Sequence, residues 1–168
     1  MSSQPELFAL PSPAMPVTAW PSSHLRVSRV GEAPPAETVD QPTLAAAYWF
    51  RHIAALPIFD AAKEHLAIIL LNTKNRTIGW NLVSIGSLNE SLAHPREIFR
   101  PAIAVAASAF ILMHNHPSGE SSPSDPDRRL TTRIEEAARL LQIRFLDHVI
   151  VGASPADRLF SFREAGII

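Results

Sequence analysis

The chain has 168 residues, room for one domain of ordinary size and too few for two comfortable ones. Apolar residues at 46% and charged residues at 18% permit a packed core and exclude wholesale disorder, and the absence of Cys excludes a disulfide framework, a thiol nucleophile and any Cys-ligated zinc or iron–sulfur site. A formal net charge of −1 is not the signature of a protein built to grip a phosphate backbone. No apolar run reaches the ~18 residues of a membrane span. The N-terminus lacks a basic segment followed by an apolar one, so the cytoplasm is the expected address.

Proline is the unusual number, 15 of 168, against a usual share of about 5%. Eight of them lie within the first 42 residues, among them Pro11, Pro13, Pro16, Pro21 and the pair Pro34–Pro35. Residues 1–40 therefore read as a proline-rich, extended or disordered arm. Within it, His24 to Val30 alternates weakly enough to add one edge strand. Removing residues 1–40 is expected to leave thermal stability nearly unchanged.

Residues 41–168 read as one α/β domain. Thr43, after Pro42, caps a helix through Leu44, Ala47, Tyr48, Arg51 and Ala55, which Pro57 ends. His65 to Leu71 is a compact apolar run, the pattern of a strand covered on both faces. A polar turn over 72–76 and a second strand over Thr77 to Ile85 make a hairpin. A helix begins near Pro95, and Pro101 predicts a kink or break in it. Ser108 to Met113 is another buried strand, followed by a polar loop from His114 to Pro126. Asp127 to Gln142 carries apolar residues at Leu130, Ile134, Ala138 and Leu141, the spacing of a helix with one buried face. Phe145 to Val151 is a strand and Leu159 to Phe162 a last short one.

The chemistry concentrates in His114-Asn-His-Pro-Ser-Gly-Glu-Ser-Ser-Pro-Ser-Asp-Pro-Asp127. Residues i and i+2 of an extended chain point to one side, so His114 and His116 present two imidazoles to one point. Ten residues separate His116 from Asp127, enough for the loop to return a carboxylate to that point. Two imidazoles and a carboxylate suit Zn²⁺ and leave a position open for water, the mark of a catalytic site. There the ion lowers the water's pKa to roughly 7 and polarises a carbonyl. A plainer account stands beside this. A His-x-His pair is common at strand ends, and Ser124 with Asp127 fits a capping box without any metal. That account leaves two same-side histidines at the mouth of a buried strand unexplained. Asp125, two residues from Asp127, reads as a cap or a solvated acid.

The string His114-x-His116-Pro, followed by Ser124 and Asp127, resembles the signature of the JAMM (MPN+, JAB) zinc metalloproteases. With Pro117-Ser118-Gly119 and Pro123 it is similar to the bacterial RadC group. Four other stretches fit that group in order: Glu64 to Arg76, Gly86 to Leu88, His94 to Phe99 and Leu146 to Gly152. The resemblance covers about residue 43 to the C-terminus. It implies a three-layer α/β/α JAB/MPN domain with a central mixed sheet and zinc at the sheet's edge. It implies one zinc per chain on His114, His116 and Asp127, acting on a peptide or isopeptide bond of a protein or peptide substrate. It also implies an upstream glutamate that exchanges protons with the attacking water. Glu64 and Glu97 are the candidates, and Glu64, 50 residues before His114, stands where the family's does. Ser124 resembles the serine that donates a hydrogen bond to the developing oxyanion.

RadC proteins carry a helical, DNA-associated N-terminal region, and this chain has the proline-rich arm there, so a DNA role does not carry over. The rival reading is a non-catalytic metal-binding interaction module associated with DNA repair or mobile elements. A zinc deaminase needs Pro-Cys-x-x-Cys, which this chain lacks. Asp147-His148 reads either as support for a ligand imidazole or as a satisfied polar pair. His24, His52 and His65 read as structural or surface residues, and Arg128, Arg129, Arg133 and Arg139 as a solvated helix face balanced by Glu135 and Glu136.

Overall fold

The computed structural model describes residues 36–86, 94–154 and 158–168. The weak strand expected over His24 to Val30 lies outside them. The described elements are α1 (Pro42–Tyr48) running into one wide π turn (Trp49–Ile53), β1 (His65–Leu71), β2 (Thr77–Ile85), α2 (Pro95–Ala104), β3 (Ala109–Asn115), α3 (Asp125–Leu141), β4 (Arg144–Val151) and β5 (Phe160–Ser161).

The strands form one five-stranded mixed sheet in the order β2-β1-β3-β4-β5. β1 is antiparallel to both β2 and β3, whereas β3 and β4 are parallel. A parallel pair needs a long crossover, and α3 supplies it. β1 and β3 are buried at every position, which is why their sequences are continuous apolar runs. Strand alternation sorts their side chains into two cores. Ala67, Ile69, Leu71, Ala109, Ile111 and Met113 pack with α1 and the π turn. Leu66, Ile68, Leu70, Phe110 and Leu112 pack with α2 and α3. Helices on both faces make the three-layer α/β/α arrangement that the family resemblance implies.

Several local expectations are corrected. α1 starts at Pro42 and has Gln41 rather than Thr43 at its cap, because the fixed φ of proline suits the first helical position. α2 runs through Pro101 as one helix and ends three residues later. Burial of Ile98, Phe99 and Ala102 outweighs the one donor that Pro101 lacks. α3 begins at Asp125, two residues before the expected start, because the cap is Ser124. Gln142, in a left-handed conformation with φ 56°, closes its other end.

The boundary expected after residue 40 also moves. The Thr77 N–H donates to the Glu37 carbonyl (2.8 Å) and the Val39 N–H to the Asn75 carbonyl (3.0 Å). Val39 is buried in the α1-side core. Residues 36–40 thus lie along the hairpin as part of the domain. Val39→Ala is expected to cost about 2 kcal/mol, read as a lower melting temperature, and a chain starting at residue 41 should lose at least as much. An unchanged melting temperature in both would contradict this packing.

Candidate metal centre

His114 and His116 leave the C-terminal end of β3 on the face covered by α3. The parity that puts Phe110 and Leu112 into the α3-side core carries on to residue 114. The site therefore sits at the end of the middle strand of five, not at a lateral edge of the sheet. Asp127 approaches from the first turn of α3. The Nε2 atoms of the two histidines are 3.0 Å apart. Asp127 Oδ1 lies 3.3 Å from His114 Nε2, and Oδ2 lies 3.4 Å from His116 Nε2. A tetrahedral ion with bonds of ~2.0–2.1 Å holds its ligand atoms about 3.3–3.4 Å apart, so these spacings fit one. Among the described residues, His114, His116 and Asp127 form the group of donors that could hold a metal ion.

Burial and charge act against each other here. Burial is the main influence on His114 and pushes its pKa down. The hydrogen bond to Asp127 dominates at the more open His116 and raises it. Burial alone would raise the Asp127 carboxyl, but contacts with His114, His116 and Ser124 override it and hold the group far below the usual carboxylate range. Asp127 is thus ionised in a buried place.

The capping box is present as well. The Ser124 hydroxyl and backbone N–H both donate to Asp127 Oδ2, at 2.6 and 2.8 Å. The Asp127 N–H returns a bond to Ser124 Oγ at 3.3 Å. Cap and donor group use one carboxylate, so the plainer account and the metal account describe the same residues. Asp125 is exposed at the start of α3 and outside the group.

Glu64 stands half-buried just before β1, two residues ahead of Leu66, which pairs with His114. Its negative charge favours the protonated form of both His114 and His116, which places it within electrostatic reach of the two. Glu97 lies elsewhere, on the surface of α2, paired with Arg96 (3.0 Å) and Arg100 (3.4 Å). Asp147 and His148 part company. His148 faces His114, with its Nε2 2.9 Å from His114 Nδ1, and burial holds its pKa well below the ordinary value. Asp147 faces the other way, accepts from the Ser161 hydroxyl and the Arg163 N–H, and anchors β5. His52 bonds Glu37 and His65 stacks on Phe59, both away from the donor group. Arg139 pairs with Glu135 on the exposed face of α3.

Sequence reasoning missed Asn115 and Thr131. Asn115 lies between the two histidines with its side chain on the opposite face. It accepts from the His65 N–H (2.8 Å) and donates to the Lys63 carbonyl (3.0 Å). It thereby pins both neighbours of Glu64. The Glu64 carbonyl itself accepts from Gly86 N–H at 2.8 Å, and Gly86 has φ 122°, a conformation that suits glycine alone. Thr131 is buried beside His148. In each case the available signal was a polar residue on an apolar face.

Residues 39–167 match the family model described as the RadC-like JAB domain. The chain is 48% identical over 109 residues to a UPF0758 protein of Pelodictyon phaeoclathratiforme, covering 65% of this chain and 48% of that protein. It is 49% identical over 109 residues to one of Chlorobaculum parvum, with coverage of 65% and 48%. With one of Rubrobacter xylanophilus it shares 47% identity over 111 residues, with coverage of 66% and 47%. The chain spans about half the length of these curated relatives. Among the described residues no helix is long and apolar enough to cross a membrane.

Two outcomes check the geometry. Asp127→Ala is expected to abolish zinc uptake, read as metal content and as loss of the zinc-dependent rise in melting temperature, while Asp125→Ala keeps both. Equal loss in the two variants would contradict the register of the loop. Asn115→Ala takes the side-chain acceptor from the buried His65 N–H and leaves the Lys63 carbonyl with the His65 ring alone, and is expected to destabilise by about 1–3 kcal/mol, with zinc uptake retained.

Proposed function

We propose that this chain, which belongs to the RadC-like JAB domain family, is a zinc-dependent hydrolase of peptide or isopeptide bonds. The observation that carries the proposal is the convergence of two imidazoles and one ionised carboxylate at separations of 3.0 to 3.4 Å, with a second carboxylate, Glu64, just before β1 and acting electrostatically on both imidazoles. Nitrogen and oxygen donors in this number suit zinc and leave a position free. Bound there, zinc supplies a Lewis acid that lowers the pKa of a water molecule and polarises a carbonyl.

The remaining work falls to side chains. Glu64 takes a proton from the attacking water and returns it to the leaving amine, a role open to a carboxylate that is not itself a ligand. Asn115 and Gly86 hold the backbone on either side of Glu64, which fixes where its carboxylate hangs. Ser124 lies against the same centre, and in this reading its hydroxyl turns to the substrate's carbonyl oxygen as charge develops there. The substrate is a protein or peptide, and the reaction belongs in the cytoplasm.

The test is a screen of zinc-loaded full chain against isopeptide-linked and plain peptides. Glu64→Gln is expected to keep zinc and fold while hydrolysis falls roughly 10²-fold or more, and Glu97→Gln to behave like the parent. The reverse pattern would move the base to Glu97. A fully loaded parent that cleaves nothing across the screen would favour the non-catalytic module.

A further inference from the structure

His114 and His116 reach the centre from one strand, yet different partners fix their protons. Nδ1 of His116 lies 2.7 Å from the Glu120 carbonyl oxygen. A carbonyl only accepts, so Nδ1 carries the proton and Nε2 turns a lone pair to the centre. His114 Nδ1 meets no carbonyl among the described residues, and its Nε2 lies against His116 Nε2 and Asp127 Oδ1, where a proton on His116 serves as well as its own. The Nδ1 of His114 faces Nε2 of His148, and two neutral imidazoles can share that bond in either direction. The direction matters. If His148 donates from Nε2, His114 carries its own proton on Nε2 and cannot act as a ligand there.

The ambiguity is resolved on α3. The Thr131 hydroxyl donates to the Asp127 carbonyl, 2.7 Å away, and so spends its only proton. The same oxygen lies 2.7 Å from His148 Nδ1, where it must accept. His148 then carries its proton on Nδ1 and leaves Nε2 bare, so His114 donates from Nδ1 and keeps the lone pair on Nε2. Thr131, His148 and His114 are all buried, which limits rival water partners. The His148 ring is held flat against Phe162, with centroids 4.7 Å apart and planes 12° apart.

We infer that Thr131 and His148 are positioning residues: a one-way hydrogen-bond relay from His114 through His148 and Thr131 to the Asp127 carbonyl holds His114 in the tautomer that binds metal. The relay ends on the main chain of another donor residue, so Asp127 offers its carboxylate to the centre and anchors His114 as well. With both tautomers set this way, two lone pairs and a carboxylate face one centre at 3.0 to 3.4 Å, where a cation takes the place of the proton that His116 otherwise shares with Asp127. The inference rests on the metal-centre reading above.

The test uses the full chain, with zinc as the probe. Long-range proton–nitrogen spectra of the metal-free parent at about pH 8.5, roughly two units above the ordinary imidazole pKa, are expected to show both His114 and His148 protonated on Nδ1. Thr131→Val keeps the shape without the hydroxyl. It is expected to fold, to lose the single His148 tautomer and to bind zinc about 10-fold or more weakly in competition with a chelating dye. Thr131→Ser restores the hydroxyl and is expected to restore both readouts. A parent with His114 protonated on Nε2 overturns the relay, as does a Thr131→Val chain that binds zinc like the parent. If Thr131→Val does not fold, the parent spectrum decides. A parent that takes up no zinc yet shows the expected tautomers sinks the metal-centre reading and leaves the relay standing.

Discussion

The carboxylate of Asp127 closes the first turn of α3 and faces two imidazoles with the same pair of oxygen atoms. Two bonds from Ser124 hold Oδ2, while Oδ1 and Oδ2 look towards His114 and His116. The amides of the helix N-terminus favour an anion at this place. Burial opposes the charge, and the hydrogen bonds outweigh burial. A slip of one residue in the loop from His116 to Ser124 would break the cap and withdraw the carboxylate together. The position of α3 is therefore not adjustable independently of the site, and β4, which follows α3 into a parallel register with β3, inherits that constraint.

Depth is the second consequence. The site stands at the end of a strand flanked on both sides, under a helix, and His114 and His148 have no exposure. Polar groups in such a place need partners, because an unsatisfied one costs about 1–3 kcal/mol. The partners found are specific: a carbonyl for His116, a histidine for His114, a hydroxyl for that histidine, and a carbonyl for the hydroxyl. The chemistry that needs oriented imidazoles and the fold that needs satisfied polar groups make the same demand. Asn115 extends the pattern to the opposite face of β3, where it ties the entry of β1 and with it the backbone around Glu64. The matched family region, residues 39–167, contains every one of these groups.

Pattern made much of this legible beforehand. The apolar runs at His65–Leu71 and Ala109–Asn115 announced buried strands because strands covered on both faces have no polar side to show. Leu130, Ile134 and Ala138 announced the buried face of α3. The same-side pair His114 and His116 followed from the two-residue strand repeat, and Ser124 with Asp127 from the chemistry of a helix start. Less legible were the limits of elements, where packing outranks local preference. Pro101 is carried within α2 because three buried neighbours hold that helix, and Val39 belongs to the core although the proline-rich composition around it suggested an arm.

The sequence by itself determined the donor types, their spacing and the strand and helix that carry them, since these depend on residues close together along the chain. Only the tertiary structure decided that Glu97 stands apart in surface ion pairs, and that it is His148 rather than Asp147 that shares a face with His114. It alone set Asn115 against the backbone beside Glu64 and Thr131 against His148. These pairings join residues 17 to 52 positions apart. Strand order and register bring such residues together, and no local periodicity records them.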